Sequence, residues 1–156
     1  MGIAAYMVDD STKSVLAFAE KDGNRLRSSE TGFHSWIKAN DVIIDFTSPL
    51  FPTMMNTPDG KSRCEPKMFQ RNIETMATSP HKLAVTGDYF MTPDPKLTND
   101  LVDKFIEVPA NMDLLNVCSR WYRRPPSEMP QMIGISNEKG TINKVQLQPF
   151  QIAGAW

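Results

Sequence analysis

The segment from Phe33 to Thr47 constrains the fold most, because it has the composition of a β-hairpin. Its centre, Asn40-Asp41, is a favourable turn pair, and the residues after it are rich in β-branched and aromatic side chains. A two-residue turn would set Ala39 opposite Val42 and fix the register of both strands. The sequence therefore predicts antiparallel sheet in this part of the chain.

This register predicts that a histidine and an aspartate share one face of the hairpin. His34 would stand opposite Thr47, and Trp36 opposite Asp45. Because side chains alternate between faces with a period of two, all four would project from the same side. His34 and Asp45 would then be diagonal neighbours, with backbones about 7–8 Å apart. A loop of odd length would move them to opposite faces.

A histidine oriented by an aspartate is half of a nucleophilic triad. The carboxylate fixes the tautomer and stabilises the imidazolium, while the imidazole accepts the proton of a cysteine or serine. The alternative is a structural strand histidine that bonds to whatever group is near. Spacing alone favours this alternative, because a fold pattern does not by itself define a function.

Composition indicates one soluble domain over residues 1–156. Hydrophobic residues are 40% and charged residues 22% of the chain, which is ordinary for a globular protein. No apolar run approaches the roughly 20 residues that cross a bilayer, and no signal peptide is evident. We therefore expect a cytoplasmic protein with no membrane contact, whose two cysteines, Cys64 and Cys118, are reduced.

The remaining segments predict strands at both ends of the chain and helices between them. Residues Gly2 to Val8 are apolar and fit either a helix or a strand. The other predictions are a strand over Ser14–Glu20, a loop over Thr53–Cys64, a helix over Pro66–Ala77, a strand within Leu83–Met91, helices over Lys96–Val108 and Asn111–Arg123, and a hairpin over residues 131–148 around Glu138-Lys139-Gly140. This order favours the α+β class, an antiparallel sheet with helices packed on it.

Two runs of sequence resemble a known superfamily. Gly32-Phe33-His34-Ser35-Trp36-Ile37, followed by Val42-Ile43-Ile44-Asp45-Phe46-Thr47-Ser48-Pro49, resembles the His and Asp strands of the papain-like and transglutaminase-like cysteine peptidases. There an H-x-W strand precedes a strand that ends D-x-T. Three further runs are similar to an uncharacterised bacterial branch with a papain-like fold: Gly2-Ile3-Ala4-Ala5-Tyr6, Gly87-Asp88-Tyr89-Phe90 and Asp94-Pro95.

The resemblance implies a papain-like fold and acyl transfer or amide hydrolysis on a protein or peptide, without a cofactor. His34 matches the base, Asp45 the orienting carboxylate, and Trp36 lies in the same motif. In the superfamily the nucleophilic cysteine precedes the histidine, at a helix N-terminus that favours thiolate. No cysteine precedes His34, and Gly2 to Val8 resembles the tail of that helix, as in a domain shortened at its N-terminus.

Four sources of a nucleophile stay open. Cys64 is expected to be exposed, in a Pro-rich loop beside Arg63 and just before the predicted helix at Pro66. Cys118 is expected to be a packed core thiol late in its helix, where a buried site raises a thiol pKa. A preceding segment or another chain could supply the nucleophile instead.

Other function classes are weaker. A non-catalytic binding protein on the same fold, a small inhibitor or adaptor, is the main alternative and covers the case of a pseudoenzyme. Arg120-Trp121-Tyr122-Arg123-Arg124 could stack on nucleic acid, but a net charge of −1 argues against that partner. The histidines and cysteines show no metal-ligand spacing. A homo-oligomer, in which a second copy covers Ile3 and its apolar neighbours, is left open.

Overall fold

The computed structural model describes residues 1–23, 25–55, 64–137, 139–148 and 151–156. They form an α+β protein with small antiparallel sheets. The elements are β1 (Gly2–Asp9), β2 (Ser14–Phe18), β3 (Glu20–Asp22), β4 (Arg25–Arg27), β5 (Ile37–Ala39), β6 (Val42–Asp45), α1 (Phe51–Met54), β7 (Phe69–Asn72), β8 (Tyr89–Pro93), α2 (Pro95–Ile106), α3 (Pro109–Arg123), β9 (Met132–Ser136) and β10 (Ile142–Gln146). No described helix is long and apolar enough to cross a membrane.

The chain divides into two compact units, residues 1–98 with 151–156, and residues 99–150. In the first unit, β1 is the central strand of an antiparallel sheet with the order β2-β1-β8. Ala4, Tyr6 and Val8 pack into one buried cluster, and Ala5 and Met7 into another. A strand covered on both faces reads as a continuous apolar run, which explains the composition of this segment.

The likeness of Gly2 to Val8 to the tail of a helix is wrong. These residues belong to β1, because neighbouring strands bond to both of its edges, with Tyr6 opposite Leu16 on one side and Tyr89 on the other. Alanine is a strong helix former, but intrinsic propensity is a weak predictor that tertiary strand pairing overrides.

The predicted turn of the first hairpin is confirmed. β5 and β6 pair with Ala39 opposite Val42 and Ile37 opposite Ile44. Asn40 has φ of 53°, as tight two-residue turns of this kind require. The ladder ends at Ile37, so the predicted pairs of His34 with Thr47 and of Trp36 with Asp45 do not form.

His34 bonds to the start of β1 instead of extending the hairpin. Its N–H donates to the carbonyl of Gly2 at 2.8 Å, and the N–H of Gly2 donates to the carbonyl of His34 at 3.0 Å. The polypeptide before β5 is therefore fixed against the first sheet, which holds His34 beside the buried side chains of β1.

The predicted helix over Pro66–Ala77 is wrong. Phe69–Asn72 forms β7, paired with β6 so that Phe69 faces Asp45, and Ile73–Thr75 is a short 3-10 turn. The four-residue spacing of Phe69 and Ile73 suits a helix, but pairing with the exposed edge of β6 stabilises the extended form. Long-range partners of this kind cannot be read from local periodicity.

Two further boundaries shift. β8 begins at Tyr89, after a turn in which Gly87 has φ of 94°, so Leu83 lies outside the strand. α2 begins at Pro95, and Asp94 Oδ1 accepts the N–H of Leu97 at 3.0 Å, which makes Asp94 the N-terminal cap of this helix. Of the expected loop over Thr53–Cys64, residues 56–63 lie outside the described part of the chain.

The second unit contains α3 and the hairpin of β9 and β10, with Ile142 opposite Ser136. Of its expected turn, Glu138 lies outside the described residues. None of the α3 residues is buried, and Cys118 is exposed. The expectation of a packed Cys118 is therefore wrong, and Leu115, one helical turn before it, is 44% exposed as well.

Candidate functional site

His34 and Asp45, which the hairpin register predicts to be neighbours, form a buried ion-pair geometry. His34 Nε2 lies 2.6 Å from Asp45 Oδ2. The side chain of His34 is 6% exposed, and that of Asp45 is fully buried. Although the ladder ends before them, both side chains remain on the core side of the hairpin, so the predicted proximity is confirmed.

Asp45 accepts hydrogen bonds at both carboxylate oxygens. The Tyr6 hydroxyl donates to Oδ2 at 2.5 Å. The Thr47 N–H and hydroxyl donate to Oδ1 at 2.8 and 2.7 Å. A carboxylate with its oxygens so occupied has a fixed orientation, and it holds the imidazole in turn.

Burial opposes ionisation of Asp45, but the hydrogen bonds and charge of His34, with the bonds from Tyr6 and Thr47, outweigh it. The pKa of Asp45 therefore lies below its ordinary value. Burial, and then the adjacent Asp45 charge, raise the pKa of Tyr6. Asp45 is thus a carboxylate and Tyr6 a proton-donating phenol across the range in which most proteins fold.

The His34 ring is held from both sides. It stacks on Phe18 with ring centroids 4.0 Å apart, and Tyr6 meets it edge to face at 5.8 Å. With Nε2 bonded to Asp45, Nδ1 has no hydrogen-bond partner among the described residues. It is also not among their fully buried unpaired atoms, so the small exposed part of the ring includes Nδ1.

This arrangement selects one tautomer of neutral His34. The ionised Asp45 can only accept, so the proton sits on Nε2 and the lone pair on Nδ1. A lone pair that is free of internal partners and reaches the surface is what a general base requires. The pair is therefore able to accept a proton at Nδ1 and to stabilise the resulting imidazolium through Asp45.

Ser48 fixes Asp45 from behind. Its Oγ lies 2.8 Å from the Asp45 carbonyl and 2.9 Å from that of Lys67, and it accepts the Phe69 N–H at 2.8 Å. The residue is fully buried. Its hydroxyl thus joins β6 to β7 and is not available as a nucleophile.

Replacing Ser48 with alanine should lower the free energy of unfolding by about 2 kcal/mol, because the buried N–H of Phe69 loses its acceptor. Urea unfolding followed by circular dichroism measures this. Ser35→Ala is the matched control on an exposed residue of the same segment. Equal effects of the two changes would contradict the assigned role of Ser48.

Sequence reasoning missed Tyr6, Phe18 and Ser48 as parts of the site. A signal was present for Tyr6, since a tyrosine within an apolar buried strand needs a partner for its hydroxyl. An aspartate at the end of a neighbouring strand is such a partner. The roles of Phe18 and Ser48 depend on contacts between segments that are distant in sequence, and no local sequence pattern predicts such contacts.

Two other predicted site residues, Trp36 and Cys64, do not join the pair. Trp36 is partly buried and packs against the core cluster of the first unit, without a hydrogen bond to Asp45. Cys118 belongs to the second unit. Cys64 is buried, which contradicts the expected exposed loop thiol, and its expected neighbour Arg63 lies outside the described residues.

Cys64 belongs to the buried core cluster of the first unit, which also holds Tyr6 and Val8. Burial raises its pKa, and the Asp9 and Glu65 charges add to this against Lys67. A buried thiol with a raised pKa is a poor nucleophile.

The two cysteines should therefore differ in reactivity. We expect Ellman's reagent to modify exposed Cys118 at least roughly a hundredfold faster than Cys64 in the folded protein. Mass spectrometry of the reacted chain assigns each thiol, and guanidinium chloride should make the two rates similar. Rapid modification of Cys64 in the native protein would contradict its described burial.

The described histidine, cysteine, aspartate and glutamate residues form no group of three that could hold a metal ion. The site is therefore defined by hydrogen bonding and aromatic packing: an α+β domain with a buried His–Asp pair whose free imidazole nitrogen reaches the surface. The chain belongs to the family described as a protein of unknown function, DUF2026, whose model matches residues 1–156.

One solved structure shares the fold closely. A crystal structure described as genomics APC5867 superposes with a TM-score of 0.76 at 28% sequence identity. The match covers 99% of this chain and 72% of that one. Comparison with curated proteins gives no match.

Proposed function

We propose that this protein is a papain-like, cysteine-peptidase-like domain that performs acyl transfer or amide hydrolysis. His34 would be the general base and Asp45 the carboxylate that orients it. The observation that carries the proposal is the 2.6 Å contact of His34 Nε2 with Asp45 Oδ2, which leaves Nδ1 free. The resemblance of the hairpin to the His and Asp strands of the cysteine peptidases supports the same reading.

The proposed reaction uses one proton and returns it. Nδ1 of His34 accepts the proton of a thiol or a water as that group attacks the carbonyl carbon of the substrate. The imidazolium, stabilised by Asp45, then donates the proton to the leaving amine or alkoxide. A thiol nucleophile gives an acyl-enzyme that water hydrolyses, whereas direct attack by water releases the acid in one step.

We assign the attacking group to neither cysteine. Cys64 is buried and has a raised pKa, and Cys118 belongs to the other compact unit. A residue outside the described part of the chain, another chain or water remains as the source.

An acyl-transfer assay tests the proposal and identifies the nucleophile together. The chain is mixed with p-nitrophenyl acetate, and separately with fluorogenic peptide amides, and any acylated residue is located by mass spectrometry. We expect turnover above the free-imidazole background that falls at least about a hundredfold in His34→Gln. Lys38→Gln, on an exposed strand residue of the same hairpin, is the control. Turnover that is equal in both variants would reject the proposal.

The second candidate is a non-catalytic binding domain in which the same pair is structural. It is favoured by the low exposure of the His34 side chain, 6%, and by the complete hydrogen bonding of Asp45. A stable complex isolated with a partner and unaffected by His34→Gln, together with absent turnover on every substrate, would favour this candidate over the enzyme.

A further inference from the structure

The face of the first sheet that carries Ile3 and Phe90 contains a cleft of about 790 Å³. β1 contributes Ile3, β8 contributes Phe90, and the ribbon of β3 and β4 forms a wall with Leu26. Strand alternation separates this cleft from the His–Asp pair, because Ile3 and Tyr6 differ by an odd number of positions and point to opposite faces of β1.

The ionisable side chains that line this cleft are all basic. Lys21 and Arg25 stand on the ribbon, and His81 on the short turn opposite; no acidic residue among those described lines the cleft. Asp22 faces Arg25 across the ladder but does not line the cleft. Lys21 and Arg25 have no ion-pair partner among the described residues, in contrast to Arg27, which bonds to Glu20 at 3.0 Å.

The floor of the same cleft is apolar. Ile3 and Phe90 are half-buried, and Leu26 is 36% exposed. A concave site of this size, mostly apolar and with a few convergent polar groups, is typical of a small-molecule site. The apolar floor and the basic side chains together favour a ligand with an apolar body and an anionic head group.

We propose that this cleft binds a small organic acid whose apolar chain lies on Ile3, Leu26 and Phe90. Its carboxylate would lie between Lys21 and Arg25. Charge complementarity favours an organic acid as the ligand. An uncharged ligand would leave Lys21 and Arg25 without an ionic partner, and a cationic head group would be repelled. Arginine offers a carboxylate two parallel N–H donors, which adds geometric selectivity.

Isothermal titration calorimetry of the whole chain with octanoate tests the proposal, with octanol and octylamine as probes of the same chain length. We expect saturable octanoate binding, at least about tenfold weaker binding of octanol, and no binding of octylamine. Backbone NMR shifts should locate octanoate at Leu26 and Phe90. Equal affinity of the three probes, or no saturation by octanoate at millimolar concentration, would overturn the proposal.

Three variants distinguish the contribution of the ligand's carboxylate to binding from that of its apolar chain. Lys21→Ala with Arg25→Ala should weaken octanoate about tenfold and leave octanol unchanged. Leu26→Ser should weaken both probes about threefold, because it removes apolar contact from an already exposed position. Arg27→Ala, on the same ribbon, is the control and should change neither. A loss in Arg27→Ala equal to that in the double variant would show a diffuse charge effect and overturn the assigned site.

A second copy of the chain is the competing occupant. If it fills the cleft, solution scattering should give a dimer that the double variant dissociates, and octanoate should not bind to the wild-type chain. That combination would overturn the small-acid proposal. A monomer that binds octanoate supports it.

Discussion

Replacing Asp45 with asparagine should lower the free energy of unfolding by about 3 kcal/mol. In the wild-type protein His34 Nε2, the Tyr6 hydroxyl, and the N–H and hydroxyl of Thr47 all approach one fully buried carboxylate. An amide offers a single acceptor oxygen there and adds two N–H donors, so at least one buried donor loses its partner. Urea unfolding at neutral pH, followed by circular dichroism, measures the loss.

The effect of Asp45→Asn should depend on pH in one direction. The pKa of Asp45 is lowered in the folded state, so its charge stabilises the fold above the unfolded-state pKa. That stability is lost as the pH falls through the folded-state pKa. The difference between wild type and Asp45→Asn should therefore shrink below about pH 4. A difference that grows on acidification would contradict the ionised Asp45.

Tyr6→Phe is the matched control for the loss of one bond. It removes the hydroxyl that donates to Asp45 and keeps the ring that packs against Phe51 and Phe69. We expect about 1 kcal/mol, clearly less than for Asp45→Asn, because the charge and its other partners remain. Equal losses would indicate that Tyr6 alone, and not the convergence of donors, makes Asp45 important.

Two substitutions of His34 should separate its structural role from its chemical one, with the second-largest expected effect. Glutamine can place an N–H near the position of Nε2 and keep the bond to Asp45, but it has no basic nitrogen. Asparagine is too short to reach Asp45, so the buried carboxylate keeps the Tyr6 and Thr47 donors but loses the bond from position 34. We expect His34→Gln to lose about 1 kcal/mol and His34→Asn about 3 kcal/mol of stability.

Activity should not follow the same order. Both variants should lose at least about a hundredfold of acyl transfer, because neither has a group that accepts a proton at Nδ1. If His34→Gln keeps wild-type turnover, His34 is a structural residue. If the two variants are equally stable, the bond to Asp45 does not stabilise the fold.

The sequence predicted the hairpin and its face because those features are local. Asn40-Asp41 determines the turn, the turn determines the register, and a period of two brings His34 and Asp45 to one side. The ladder nevertheless ended at Ile37, because the backbone of His34 bonds to Gly2. That partner is distant in sequence and leaves no local pattern.

The wrong predictions share one cause. Phe69 and Ile73 have helical spacing, yet the segment that begins at Phe69 pairs with the edge of β6 and forms the strand β7. Gly2 to Val8 has a composition that fits a helix tail, yet strands on both sides make it β1. Periodicity indicates which residues prefer burial, but it does not indicate which other segment covers them. The predicted packing of Cys118 fails for the same reason, since this residue is exposed.

The most direct test of the central claim is the tautomer of His34, read from long-range nitrogen–proton correlations of the labelled imidazole. The His34→Gln variant identifies the signals of His34, and exposed His81 supplies a reference within the same chain. We expect neutral His34 to carry its proton on Nε2, bonded to Asp45, with an unprotonated Nδ1. A proton on Nδ1 in the neutral form would contradict this assignment, since the lone pair would then lie on Nε2, which faces Asp45, and Nδ1 could not act as the general base.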